Sequence, residues 1–296
     1  MKDKKIPNDK RHLPYGSAFS ILDTDTVKFL NNIDINYAVL DDETLQEKFL
    51  TKYLEWIKSN NLNTFKSLDD FKFRNYSNGT SESFDKFYLK HPNKRFRCFK
   101  GEYMYHRLAW RNGFSWAYIE DDDIKANDAV VISLPFANTG DKHKKYDEIM
   151  TQCSELGVPV LVDCAYFGIC KDIDFDLSYD CIKEIAFSLS KTFPVSHVRI
   201  GMRLSKIDDD DTLFVYHKIK YTNRLGAHIG LKFLENFSPD YIVNKYQNLQ
   251  QDFCSKLDVI PSKTVLFGIG GDEWSDYNRG GVENRLSFHR QFVKGL

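Results

Sequence analysis

Three apolar runs constrain this chain most: AVVISL (129–134), VPVLVDC (158–164) and EIAFSLS (184–190). None alternates apolar with polar residues, as a strand with one wet face would. Continuous apolar runs bounded by turn residues belong to strands buried on both faces. Between the first two lies DKHKKYDEIMTQCSELG (141–157), which reads as a helix. A helix between two such strands carries the chain back to the same sheet edge, so the strands run parallel. The expected fold class is therefore α/β, with a mostly parallel central sheet flanked by helices.

The rest of the chain extends this reading. ETLQEKFLTKYLEWIK (43–58) places Leu45, Phe49, Tyr53, Leu54 and Ile57 at helical spacing. FRNYS (73–77), RFRCF (95–99), SWAYIE (115–120) and HVRIGMRLS (197–205) read as strands, and TSESFDKFYLKH (80–91) and YMYHRLAWRNG (103–113) as helices. Beyond residue 206 the pattern is helical through KFLENF and YIVNKYQNLQQDFCSKL, then two short strands follow in TVLFGI (264–269) and RLSFH (285–289). The expected organisation is an N-terminal arm (1–40) with little periodicity, a large domain (41–230), and a reduced α+β small domain (231–296).

Charge and cysteine usage narrow the function. A net charge of −1 lacks the basic footprint of a nucleic-acid or membrane-surface binder. No apolar run approaches the length that spans a bilayer, and the first twelve residues lack a signal peptide's apolar core. Cys98, Cys153, Cys164, Cys170, Cys181 and Cys254 form no CxxC pair and are expected as reduced core thiols of a cytoplasmic protein. The acidic run Asp208–Asp211 reads as a solvated turn, and no metal site is expected.

In such sheets ligands bind beyond the carboxyl ends of the strands. FRNYS is followed by Asn78-Gly79-Thr80-Ser81, a helix start suited to an anion. AVVISL leads to Asn138-Thr139-Gly140, VPVLVDC ends at Asp163, and EIAFSLS delivers Ser188, Ser190 and Lys191. A buried carboxylate there needs a cation or several donors. A desolvated lysine loses its proton more readily and attacks an aldehyde. An anion cradle, an amide, a carboxylate and a lysine together suit a phosphorylated, pyridine-containing aldehyde.

In this order the motifs resemble the class I/II aminotransferases, the fold-type-I pyridoxal-phosphate enzymes. The order is Asn78-Gly79-Thr80-Ser81, Tyr103 to His106, Asn138-Thr139-Gly140, Asp163-Cys164-Ala165-Tyr166, Ser188-Leu189-Ser190-Lys191 and Arg199-Ile200-Gly201. The resemblance covers residues 70–205 closely and 206–296 loosely. It implies pyridoxal 5'-phosphate as cofactor, Lys191 as the Schiff-base lysine and proton carrier, and Asp163 against the pyridine nitrogen. It implies Asn138 and Tyr166 at the ring's phenolate oxygen. Gly79, Thr80, Ser188 and Arg199 would hold the phosphate, with Ser81 and Ser190 beside them. Tyr103 falls where the family stacks an aromatic on the ring, and His106 where some members support the aspartate. Arg285 best fits the arginine that grips the substrate carboxylate, with Asn138 near it; Arg279 and Arg290 compete for that role. The resemblance further implies amino-group transfer between an amino acid and a 2-oxo acid, and a homodimer with shared active sites. Other pyridoxal-phosphate reactions (decarboxylation, C–S cleavage, cyclisation) and a non-catalytic relative are the alternatives. The chain departs from the pattern in lacking a proline between Asn138 and Thr139, and it is short for the family after Arg199.

Overall fold

The computed structural model describes residues 16–106, 113–208, 211–278, 280–281, 283–289 and 291–292. The helices are α1 (Thr24–Asn31), α2 (Tyr37–Asp41), α3 (Leu45–Lys58), α4 (Thr80–Lys90), α5 (Tyr146–Glu155), α6 (Thr212–Lys218), α7 (Arg224–Asn236) and α8 (Tyr241–Leu257). The strands are β1 (Thr64–Lys66), β2 (Phe73–Ser77), β3 (Arg95–Cys98), β4 (Trp116–Tyr118), β5 (Asp128–Ser133), β6 (Val160–Asp163), β7 (Asp174–Asp176), β8 (Ile182–Ser188), β9 (Gly201–Ser205), β10 (Ile260–Pro261), β11 (Phe267–Gly270) and β12 (Asn284–Ser287).

The central sheet has seven strands in the order β2-β9-β8-β6-β5-β3-β4. Strands β4, β3, β5, β6 and β8 are parallel, and β9 is antiparallel to both β8 and β2. The two-residue period of a strand sends alternate side chains to opposite layers. Val130, Ile132, Val160 and Val162 join α3, α5 and α7 in the larger core. Ala129, Val131, Leu161 and Ala186 face Phe84 and Phe87 of α4. Two buried faces explain why these strands read as unbroken apolar runs.

A second core joins α8 to the antiparallel sheet β10-β11-β12, with Ile242, Val243, Phe267 and Leu286 buried together. Ile21 from the N-terminal segment and Tyr166 from the loop after β6 enter the same cluster. All six cysteines are buried.

Several expectations are corrected. The segment expected as an N-terminal arm carries α1 and α2, which its sequence pattern did not announce. Asp23 caps α1 by accepting from Thr26 N at 2.9 Å, and Asn36 caps α2 by accepting from Val39 N at 3.2 Å. Side-chain caps, with little apolar periodicity, start these helices. The helix expected from 141 begins at Tyr146, because 136–141 close a turn in which Phe136 N donates to Asp141 O at 2.7 Å. The strand expected from 264 begins at Phe267. The short pair β1–β7 was not legible, since its three-residue strands show no pattern. In the helix expected at 103–113, residues 107–112 lie outside the described residues, as do Arg279 and Arg290.

Helix α7 crosses α3 at Gly230, where an added Cβ would lie 2.6 Å from Phe49 Cε2 and 2.9 Å from Ile200 Cγ2. Both neighbours are fully buried. A branched side chain there would ordinarily improve on glycine's helix propensity, but it must displace packed core atoms. Gly230→Val is expected to lower stability by about 1–3 kcal/mol, read as a lower urea midpoint at unchanged slope.

Candidate active site

The carboxyl ends of β2, β5, β6 and β8 lie at one sheet edge, and the start of β9 lies with them. Gly201 pairs in register with Ser77 on one side and Ser188 on the other. This brings Arg199, just before β9, to the start of α4, just after β2. Gly79 is the N-cap of α4 with φ +78°, ψ 174°, a conformation that costs other residues strain. A Cβ on Gly79 would lie 2.7 Å from Arg199 Nη2. That nitrogen donates to Ser81 Oγ at 2.6 Å. Arg199 itself holds φ +65°, uncommon for a side-chain-bearing residue, and its carbonyl accepts from Tyr76 OH at 2.9 Å. Next to it, Ser188 Oγ donates to Ser190 Oγ at 2.8 Å, and Ser190 N donates to Ser188 Oγ at 3.2 Å. Guanidinium, hydroxyls and a helix N-terminus thus converge, as an anion requires.

Asp163 ends β6 and is buried. Its Oδ1 accepts from Ala165 N at 3.0 Å, and the Thr80 side chain bonds to it. Burial first, then the charge of Glu102, pushes its carboxyl up to about 7 against these donors and Lys191. His106 is buried, with Nδ1 2.8 Å from Tyr88 OH and Nε2 without a hydrogen-bond partner. Burial pushes the imidazole down to about 3, so it is neutral. Tyr103 is half exposed, its ring nearly parallel to Tyr105 at 6.1 Å. Burial, followed by the Asp163 charge, raises its phenol.

Lys191 follows β8, and its Nζ donates to Ala18 O at 2.8 Å. Arg285, on β12, is buried and donates from Nη1 to Ala137 O and from Nη2 to Gly16 O at 3.1 Å. Its Nη1 is 3.5 Å from Tyr166 OH, and its guanidinium lies 4.4 Å over the Phe267 ring. Asn138 is buried beside Ala137; its Nδ2 donates to Glu283 O at 3.2 Å, and its Oδ1 has no partner. The structure brings the sequence-selected residues to one edge, with Arg285 reaching them from the smaller sheet. Sequence reasoning missed Glu102, Ser133 and the carbonyls of Gly16 and Ala18. A lone acid between Gly101 and Tyr103 was the available signal for the first.

No family model and no curated protein matches the sequence. By fold the chain is similar to an aminotransferase from Staphylococcus aureus, with TM-score 0.62 and 13% identity over 97% of this chain and 94% of that one. It is similar to the histidinol-phosphate aminotransferase from Clostridium acetobutylicum, with TM-score 0.59 and 16% identity over 85% and 81%. It is also similar to the PLP-bound C-S lyase from Staphylococcus hominis, with TM-score 0.62 and 13% identity over 99% and 92%. The chain has the fold of the class I/II aminotransferases and related fold-type-I enzymes. Pyridoxal phosphate is the cofactor that this fold implies.

The residues present fit that group. The Asn138 amide oxygen and the His106 Nε2 are buried with nothing to bond, a cost that a bound partner removes. Asp163 is a buried carboxyl whose charge its surroundings disfavour. The cradle of Gly79, Ser81 and Arg199 leaves no room for a side chain at Gly79. Gly79→Ala is expected to dislodge Arg199 and raise the dissociation constant for pyridoxal phosphate at least tenfold, about 1.4 kcal/mol. Fluorescence titration checks this, with the melting temperature as a control for folding.

Proposed function

We propose that this chain is a pyridoxal-phosphate-dependent aminotransferase, moving an amino group between an amino acid and a 2-oxo acid. The observation that carries the reading is the joint placement of Lys191, Asp163 and the Gly79–Arg199 cradle at one edge of the sheet. In this reading Gly79, Thr80, Ser81, Ser188, Ser190 and Arg199 hold the phosphate. Asp163 keeps a proton at the ring nitrogen, with His106 as its neutral neighbour, and Tyr103 covers the ring. Asn138 and Tyr166 hold the ring's phenolate oxygen. When bound, the cofactor supplies an aldehyde that condenses with amines and a ring that takes up the electron pair of a bond broken at the substrate α-carbon. Lys191 Nζ carries the proton at that carbon. Arg285 orients the substrate by its carboxylate, which a planar guanidinium grips with two parallel bonds.

The reading includes a cytoplasmic setting, in which buried cysteines stay reduced; among the described residues no helix is long and apolar enough to cross a membrane. A second reading, C–S bond cleavage, is favoured by the S. hominis lyase, whose fold matches as closely as that of the S. aureus aminotransferase. Borohydride reduction of the loaded protein, followed by peptide mapping, is expected to place the pyridoxyl group on Lys191. An adduct on another lysine overturns the assignment. Amino-acid donors offered with 2-oxo acids should yield the exchanged pair; pyruvate and thiol released from a cysteine conjugate would indicate the lyase.

The reading includes a symmetric dimer with shared sites. Tyr216, Ile219, Tyr221 and Leu225 are exposed on and after α6, and Asn223 reaches back to Asn78 Oδ1 at 3.3 Å beside the cradle. An apolar patch adjoining the site suits a partner subunit. Sedimentation equilibrium is expected to give twice the chain mass, and a fully active monomer would refute the pairing.

A further inference from the structure

We propose that Glu102 is a positioning residue for Asp163: seated on Ser133, it is the second carboxyl of a buried acid pair and keeps that pair at a single negative charge. The role of Asp163 toward the ring nitrogen rests on the pyridoxal-phosphate reading above.

Ser133 ends β5 and Asp163 ends β6, paired in register. In-register residues of neighbouring parallel strands point to the same face, about 4.8 Å apart. That face packs against α4, since Val131 and Leu161, two residues earlier on each strand, lie against Phe84 and Phe87. Glu102 reaches the same face from the loop after β3. Its Oε1 accepts from Ser133 N at 2.8 Å, and its Oε2 lies 2.5 Å from Ser133 Oγ. Tyr103 N donates to Oε2 at 3.3 Å. All three partners of Glu102 are neutral. Glu102 and Asp163 are both buried, so two like charges would stand on adjacent strand ends without a compensating cation on Glu102.

The groups around the pair do not relieve this. Thr80 and Tyr88 from α4 are uncharged, and His106 is a neutral imidazole. Tyr103 adds a phenol, Cys164 a thiol that burial pushes well up, and Glu120 a further negative charge. Ionisation of Asp163 is favoured by the charge of Lys191 and by two neutral donors, Ala165 N and the Thr80 side chain. Consistently, burial and the Glu102 charge bring Asp163 to about 7, and burial brings Glu102 to about 7 despite its donors. Two such acids titrate as a pair. With Asp163 ionised against one ring cation, the remaining proton resides on Glu102 Oε2 and faces Ser133 Oγ. The pair then balances one positive charge with one negative charge.

Glu102→Gln fixes the neutral state in the same shape, and its effect has a definite sign. A carboxyl raised in the folded protein destabilises it as pH rises from the unfolded value towards the folded one, so stability falls between about pH 4 and 7. With Glu102 replaced, one titrating acid is gone and Asp163 ionises at lower pH. Melting of the cofactor-free protein should therefore show a shallower loss of stability across that window. In pyridoxal phosphate titrations followed by fluorescence, the wild type should bind more weakly as pH falls below about 7. The Gln variant should retain tight binding to a pH about one unit lower, a tenfold difference in dissociation constant on the acid limb. Asp163→Asn should reciprocate, reducing the slope by more than its own one proton. Superimposable profiles for wild type and Glu102→Gln, or an Asp163→Asn loss of one proton or less, would overturn the pairing. A wild type that binds no pyridoxal phosphate at any pH would instead refute the functional reading, while the melting slopes would still decide the acid pair.

Discussion

The site depends on one topological constraint: a single antiparallel strand set between two that are mutually parallel. With β9 running against β2 and β8, its first residue stands beside their last ones, Ser77 and Ser188. A parallel strand in that place would carry Arg199 to the far edge of the sheet. As built, the backbone hydrogen bonds of β9 fix the guanidinium over Gly79, the helix start beneath it and the Ser188–Ser190 pair beside it. Three short segments that are remote in sequence form one rigid rim, since each is the end of a sheet strand.

Buried charge is handled differently at the two ends of the sheet. At the end away from the site, Asp128 receives Arg95 Nε at 2.8 Å and Arg97 Nη1 at 2.7 Å, and Arg97 also bonds the Tyr118 carbonyl at 2.9 Å. Below β8 and β9, Glu184 meets Lys90 at 2.5 Å, and Arg203 bonds Asp211 and Asn75. These clusters pair each carboxylate with cations, as burial demands. At the rim, Asp163 and Glu102 have chiefly neutral donors; buried polar atoms without a partner occur both there, on Asn138 and His106, and in the charge clusters, on Arg97, Glu184 and Arg203. What separates the two ends is the pairing of the carboxylates: cations hold Asp128 and Glu184, and mostly neutral donors hold Asp163 and Glu102.

Much of this was legible in the sequence because it follows from burial. The runs at 129–134, 158–164 and 184–190 announce strands covered on both sides, and the polar residues that interrupt them, Asp163 and Lys191, stand out against that background. Gly79 was legible as a turn, but its reason, the guanidinium packed where a Cβ would be, needs the fold. Glu102 was passed over: its only signal was its place between Gly101 and Tyr103, and its meaning comes from Ser133, one strand over. Helix α1 escaped notice for a similar reason. Its start is fixed by the Asp23 cap, which is itself buried and bonded by Tyr246 OH at 2.7 Å from the other end of the chain.

The N-terminal segment alters what binding means for this molecule. The carbonyls of Gly16 and Ala18 each accept from a cationic side chain, Arg285 Nη2 at 3.1 Å and Lys191 Nζ at 2.8 Å. Downstream the segment is moored by Ile21 in the smaller core and by Asp23 on α8. If Arg285 takes a carboxylate as proposed, that group meets donors already engaged by the main-chain oxygens of Ala137 and Gly16. Its affinity is the difference between two sets of hydrogen bonds, the chain's own and the newcomer's.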